Sequence, residues 1–173
     1  MMTELRIGDQ LIRFDREATI RAYSQLPQGG ADRCPCSSCR NFALLRDKAY
    51  PDDFRAFLTR LGIDANKEGE AFSYGPKGQG HYYGGWFYFV GELEETGERL
   101  VDAGADFQYF VGTSFPRPPE IFGKTVAAVE FTTLIPWVLE APWDPDADAQ
   151  ILKVEEITNR YPNALRALAN RKP

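Results

Sequence analysis

The chain has 173 residues, 43% hydrophobic and 13% aromatic, enough for one well-packed core and short for two, so a single domain over residues 1–173 is expected. Its formal charge of −5, from 20 Lys+Arg against 25 Asp+Glu, provides no basic field for a phosphate backbone, which argues against nucleic acid and anionic membrane as partners. The N-terminus lacks a basic region followed by an apolar run, and no stretch reaches the roughly 18 apolar residues of a membrane span, so a cytoplasmic location is expected.

Leu5, Ile7, Leu11, Ile12 and Phe14 flank Gly8-Asp9-Gln10, which predicts a β-hairpin at the start. Asp15 is placed to cap a helix running to about Ser24, with Ala18, Ala22 and Tyr23 or Ile20 inward, and Gln28-Gly29-Gly30 ends it. Ser37 or Ser38 is placed to cap a second helix to about Lys48, with Phe42 and Leu45 on one face. Tyr50-Pro51-Asp52-Asp53 opens a third, with Phe54, Phe57, Leu58 and Leu61 as its apolar stripe and Gly62 as its stop. The last two should pack as a hairpin, making residues 15–65 a helical part.

From Ala71 glycines punctuate aromatic and β-branched runs, with strands expected at 70–75, 82–92, 98–102, 106–114 and 125–134. The joining segments 95–98 and 102–105 carry turn chemistry, which favours consecutive antiparallel pairing over helical crossovers. Pro116-Arg117-Pro118-Pro119 marks a loop. Residues 150–158 lean to helix, and a closing helix is expected over about 160–171. The fold class is therefore α+β: N-terminal helices packed on a mainly antiparallel sheet that forms a sandwich or a partial barrel.

All three cysteines fall within six residues, in Cys34-Pro35-Cys36-Ser37-Ser38-Cys39. Chance would scatter them, and an odd, bunched set is not a secreted disulfide framework, so thiolate ligands or reduced thiols are expected. Zn2+ as a structural ion prefers four ligands; Cys34, Cys36 and Cys39 supply three, and His81, the single histidine, Asp32 or a water is the candidate for the fourth. Two other readings stand beside the metal clip. Cys36-x-x-Cys39 at a helix start beside Arg40 has the setting of a lowered thiol pKa, and small half-buried cysteines also serve simply to close a helix start.

Cys-Pro-Cys-Ser-Ser-Cys-Arg-Asn-Phe, followed by Tyr50-Pro51, the 54–61 helix and Leu61-Gly62-Ile63-Asp64, resembles a family of uncharacterised bacterial proteins. Those carry a Cys-x-Cys-x-x-Cys-Arg-Asn-Phe motif near the N-terminus and a strand-rich remainder. The resemblance covers roughly residues 5–65 and implies a cytoplasmic protein of unassigned function. It carries over Cys34, Cys36 and Cys39 as candidate ligands and no catalytic residue.

The segment from His81 to Val90 alternates His81, Tyr83, Phe87 and Phe89 on one face with Tyr82, Trp86, Tyr88 and Val90 on the other. A central strand covered on both sides explains this pattern. The sharper reading makes Tyr82, Trp86 and Tyr88 a groove for a sugar, nucleobase or peptide, with the tyrosine hydroxyls in water and Gly84-Gly85 admitting a partner closely. Asp144-Pro145-Asp146-Ala147-Asp148 lacks the glycine and distal glutamate of a calcium loop, and 75–80 lacks the ending of a phosphate cradle. No catalytic residue is assigned. The favoured function is a binding or interaction protein, with a protein or small-molecule partner, stabilised by a zinc clip. The alternatives are a thiol enzyme using Cys36-x-x-Cys39 and a toxin-neutralising or scaffold protein.

Overall fold

A computed structural model describes residues 1–97, 100–113 and 116–160, apart from the side chains of 152 and 154–160. The expected closing helix lies, past residue 160, outside the described residues. The elements are β1 (Met2–Ile7), β2 (Gln10–Asp15), α1 (Arg16–Gln25), α2 (Gly30–Arg33), α3 (Ser37–Ala49), α4 (Asp52–Leu61), β3 (Glu70–Lys77), β4 (Gly80–Glu95), β5 (Val101–Asp102), β6 (Phe107–Gly112), a 3-10 turn (Glu120–Phe122), β7 (Val126–Ile135) and α5 (Pro145–Arg160). The result is an α+β fold with one antiparallel sheet. Among the described residues no helix is long and apolar enough to cross a membrane.

The strands run in the order β1-β2-β4-β7-β6-β5, and β3 pairs with the first half of β4. On that same side β2 pairs with the other end of β4, from Gly91 to Glu95, which leaves a gap in the pairing over 87–90. Buried backbone groups need partners, and α1 supplies them. The Tyr23 hydroxyl donates to Tyr88 O at 2.9 Å, and Val90 N donates to Thr19 Oγ1 at 3.0 Å. The two ends of the open sheet curl toward each other, and the buried Gln10 side chain spans between them, donating to Val111 O and accepting from Val111 N. One amide here does the work of a residue pair in a ladder.

Asp15 caps α1 as expected, its Oδ1 accepting from Ala18 N. Thr19, Ala22 and Tyr23 face inward, while Ile20 is exposed. The cap of α3 is a correction: it is Cys36, whose sulfur accepts from Cys39 N at 3.4 Å, while Ser37 and Ser38 already lie inside the helix. A short helix, α2, occupies part of what reads in sequence as loop. The expected helix hairpin also gives way, because α3 packs chiefly on α2, β3 and β7 and the helical neighbour of α4 is α1. Both helices thereby insert aromatics into the same face of the sheet. Phe42 lies against Tyr83 and Phe131, and Phe54 against Phe87, Phe107 and Phe131.

Register places His81, Tyr83, Phe87 and Phe89 on that helix-covered face, opposite Ile135, Thr133, Val129 and Ala127 of β7. Tyr82, Trp86 and Val90, on the other face, are half-buried. Gly84 and Gly85 admit this chain's own rings. A Cβ at Gly84 would stand 2.7 Å from Phe72, and one at Gly85 would stand 2.6 Å from Phe131 and 2.5 Å from Glu70 O.

Candidate metal centre

The three sulfurs converge because two short helices meet at the motif. Cys34 closes α2, Pro35 extends the chain, Cys36 caps α3, and Cys39 follows one turn later on the side facing β3. Cys34 Sγ lies 3.2 Å from Cys36 Sγ, Cys39 Sγ lies 3.6 Å from Ala71 O, and all three sulfurs are within 4.8 Å of one another. Tetrahedral zinc with Zn–S bonds of about 2.3 Å needs sulfurs about 3.8 Å apart, so small side-chain adjustments suffice to close them on one ion. All three are free thiols.

Their environments differ. The Cys39 thiol and backbone N–H both point to the Cys36 sulfur and, against its burial, lower the Cys36 pKa to about 6. Burial pushes Cys34 up to about 11. Cys39 is pushed up strongly, first because its proton serves the Cys36 sulfur and then by burial. This ordering makes Cys36 the most acidic of the three thiols.

The cysteines border a cleft of about 650 Å³ whose other lining residues include Arg33, Ser38, Glu70, Phe72, Ser73, Trp143 and Asp148. Neither expected fourth ligand joins them. His81 is buried away from the cluster, its Nε2 2.6 Å from Ser73 Oγ and its ring walled by Tyr83, Trp137 and Trp143. Burial lowers its pKa, which favours the neutral imidazole. Asp32 Oδ2 is held by Arg46 and Gly29 N. Among the described residues no further His, Cys, Asp or Glu completes the cluster.

Three supporting groups escaped the sequence reading. Asp148, dismissed with the calcium pattern, reaches across from α5 and caps α3. Its carboxylate accepts from both the N–H and the hydroxyl of Ser37 and Ser38, at 2.5–3.2 Å. Glu68 is fully buried and forms a two-pronged pair with Arg46 while accepting from Ala31 N, so it fixes α2 just ahead of Cys34. Asn41 binds Tyr83 Oη, Pro136 O and Val138 N, so the Asn and Phe of the motif anchor α3 in the fold. Asp148 had a sequence signal in its acidic run and Asn41 in the motif, whereas Glu68 had none.

The Asp148 cap has a measurable pH signature. Burial raises its pKa, but the bonds from Ser38 and Ser37 together outweigh this and hold it below the ordinary carboxylate value. Its contribution is therefore full above that ordinary value and lost as pH falls through the lower folded one. Asp148→Ala should cost about 2 kcal/mol near neutral pH. The melting-temperature gap to wild type should hold from about pH 5 to 8 and shrink below about pH 4. A gap that grows on acidification would remove Asp148 from this role.

The three aromatics expected to form a groove do not line this cleft. Tyr82 stacks on exposed Tyr74 under Lys77, and Trp86 packs on Phe72. Tyr88 is a correction to the water-facing expectation: it is 6% exposed, packs on Phe122 and donates to Pro116 O.

No family model, curated protein or solved structure matches the chain. Fold and site together define its class: an α+β protein with three cysteines, close enough to hold a metal ion, at the wall of a cleft.

Proposed function

We propose that the chain is a zinc-binding protein that recognises a partner at the cleft beside its three-cysteine centre. The observation that carries this reading is the convergence of three sulfurs within 4.8 Å on the wall of a cleft of about 650 Å³. The ion clips α2 to α3, and thiolate ligands of this kind belong to structural zinc sites. The reading takes zinc over other divalent ions because the donors are soft and their spacing suits a single tetrahedral ion.

Purified without chelator under a phosphine reductant, the protein should carry about one zinc per chain, and less than about a tenth of that would sink the reading. Cys36→Ser should abolish stoichiometric zinc and lower the melting temperature by more than Arg40→Gln, a change at an exposed position of the same helix.

A second reading, thiol chemistry at Cys36, draws on its place as the α3 cap and its pKa of about 6. It requires that iodoacetamide modify Cys36 in the purified protein with a midpoint near that pH. The zinc reading requires that modification be slow until the ion is removed.

A further inference from the structure

We propose that the fourth coordination position of the Cys34, Cys36 and Cys39 centre takes the sulfur of a small-molecule thiol bound in the cleft. This rests on the zinc reading above and adds the ligand class. A tetrahedral ion held by three protein sulfurs keeps one position open, and among the described residues no further His, Cys, Asp or Glu, Glu70 of the cleft wall included, lies close enough to all three sulfurs to complete the set. The Asp148 carboxylate accepts four bonds from Ser37 and Ser38, His81 Nε2 is bonded to Ser73, and Asp32 Oδ2 is held by Arg46. All three cysteines border the same concavity, so the open position faces a space of about 650 Å³, within the range of small-ligand sites.

Charge and softness choose the ligand. Three thiolates on a divalent ion leave a net charge of −1, which weakens its pull on a hard oxygen donor and disfavours activated water. A polarisable sulfur remains a good partner for such an ion. When the thiol binds, its S–H proton passes to solvent, its sulfur replaces water on the ion, and the charge of the centre goes from −1 to −2 with no change in oxidation state. That added charge needs a cation nearby. Arg33, the one Lys or Arg of the lining and shared with the acidic Glu70, supplies it at the rim, where its guanidinium donates to Gly69 O at 3.2 Å. Phe72 and Trp143 provide apolar wall for the carbon skeleton of the thiol.

The test uses the full chain, freed of metal and reloaded with one equivalent of Co2+ as a visible stand-in for zinc. N-acetylcysteine should strengthen the sulfur-to-cobalt charge-transfer absorption and shift the visible bands in a saturable titration. N-acetylserine, which differs only by oxygen for sulfur, should leave both unchanged. In Arg33→Met the protein should still load cobalt but bind N-acetylcysteine about tenfold more weakly, the scale of one solvent-facing charge interaction. Stoichiometric cobalt whose spectrum ignores N-acetylcysteine, or answers N-acetylserine equally, overturns the thiol assignment and leaves the metal centre standing. Failure to load cobalt at all overturns both. An unchanged affinity in Arg33→Met removes the guanidinium from the site.

Discussion

Arg46→Met should lower the folding stability by about 3–5 kcal/mol in urea melts, because it leaves the Glu68 carboxylate buried without its counter-ion. Glu68 has a side-chain exposure of 0% and Arg46 12%, and the guanidinium holds both carboxylate oxygens at 2.9 Å. Burial of Arg46 opposes its charged form, but the bonds to Glu68 and Asp32 prevail and raise its pKa, consistent with a permanently charged partner. The companion variant Arg46→Met with Glu68→Met should recover much of the loss, since replacing both charges removes the orphan. The recovery should stop short of wild type, because Glu68 Oε1 also accepts from Ala31 N. The same variants report on the metal centre. α2 ends at Cys34, so loosening α2 should weaken zinc binding in the single variant before the protein unfolds. Equal loss in the single and double variants would show that packing, and not charge, holds this corner.

Phe87→Ala should cost about 3–5 kcal/mol, whereas Tyr82→Ala should cost less than about 1 kcal/mol. The two residues lie on one strand five positions apart and differ in face and in burial. Phe87 is 0% exposed, between Tyr50, Phe54 and Phe131, with Val129 across the ladder. Its loss opens a cavity among rings that α3, α4 and the sheet all hold in place, so little collapse can fill it. Tyr82 contacts exposed Tyr74 and Lys77, and these re-pack in water at small cost. Tyr88→Ala should follow Phe87, because Tyr88 is covered by Phe122. Comparable losses at Phe87 and Tyr82 would mean that the second face is covered in solution at Tyr82 as well as at Tyr88.

By itself the sequence determined the class of fold and the clustering of the three cysteines. Alternation from His81 to Val90 assigned each side chain to the face it occupies, since a strand has a fixed period of two whatever it packs against. The Phe54, Phe57, Leu58 and Leu61 stripe found its helix, and Gly62 its stop with φ of 81°, because spacing and left-handed backbone are local properties. Six residues carrying three cysteines had few ways to avoid convergence. Tertiary structure alone decided what lies far apart in the chain. Asp148 meets Ser37 across more than a hundred residues, Gln10 meets Val111 across a similar span, and Glu68, between α4 and β3, pairs with Arg46 of α3. None of these leaves a periodic trace, since each satisfies a buried polar group whose need arises only when two distant segments are packed together. The misplaced fourth ligand has the same origin. His81 lies on the strand next to β3, but its Nε2 is taken by a cross-strand bond to Ser73 and it stands outside the cysteine cluster, and pairing register is a property of the folded sheet.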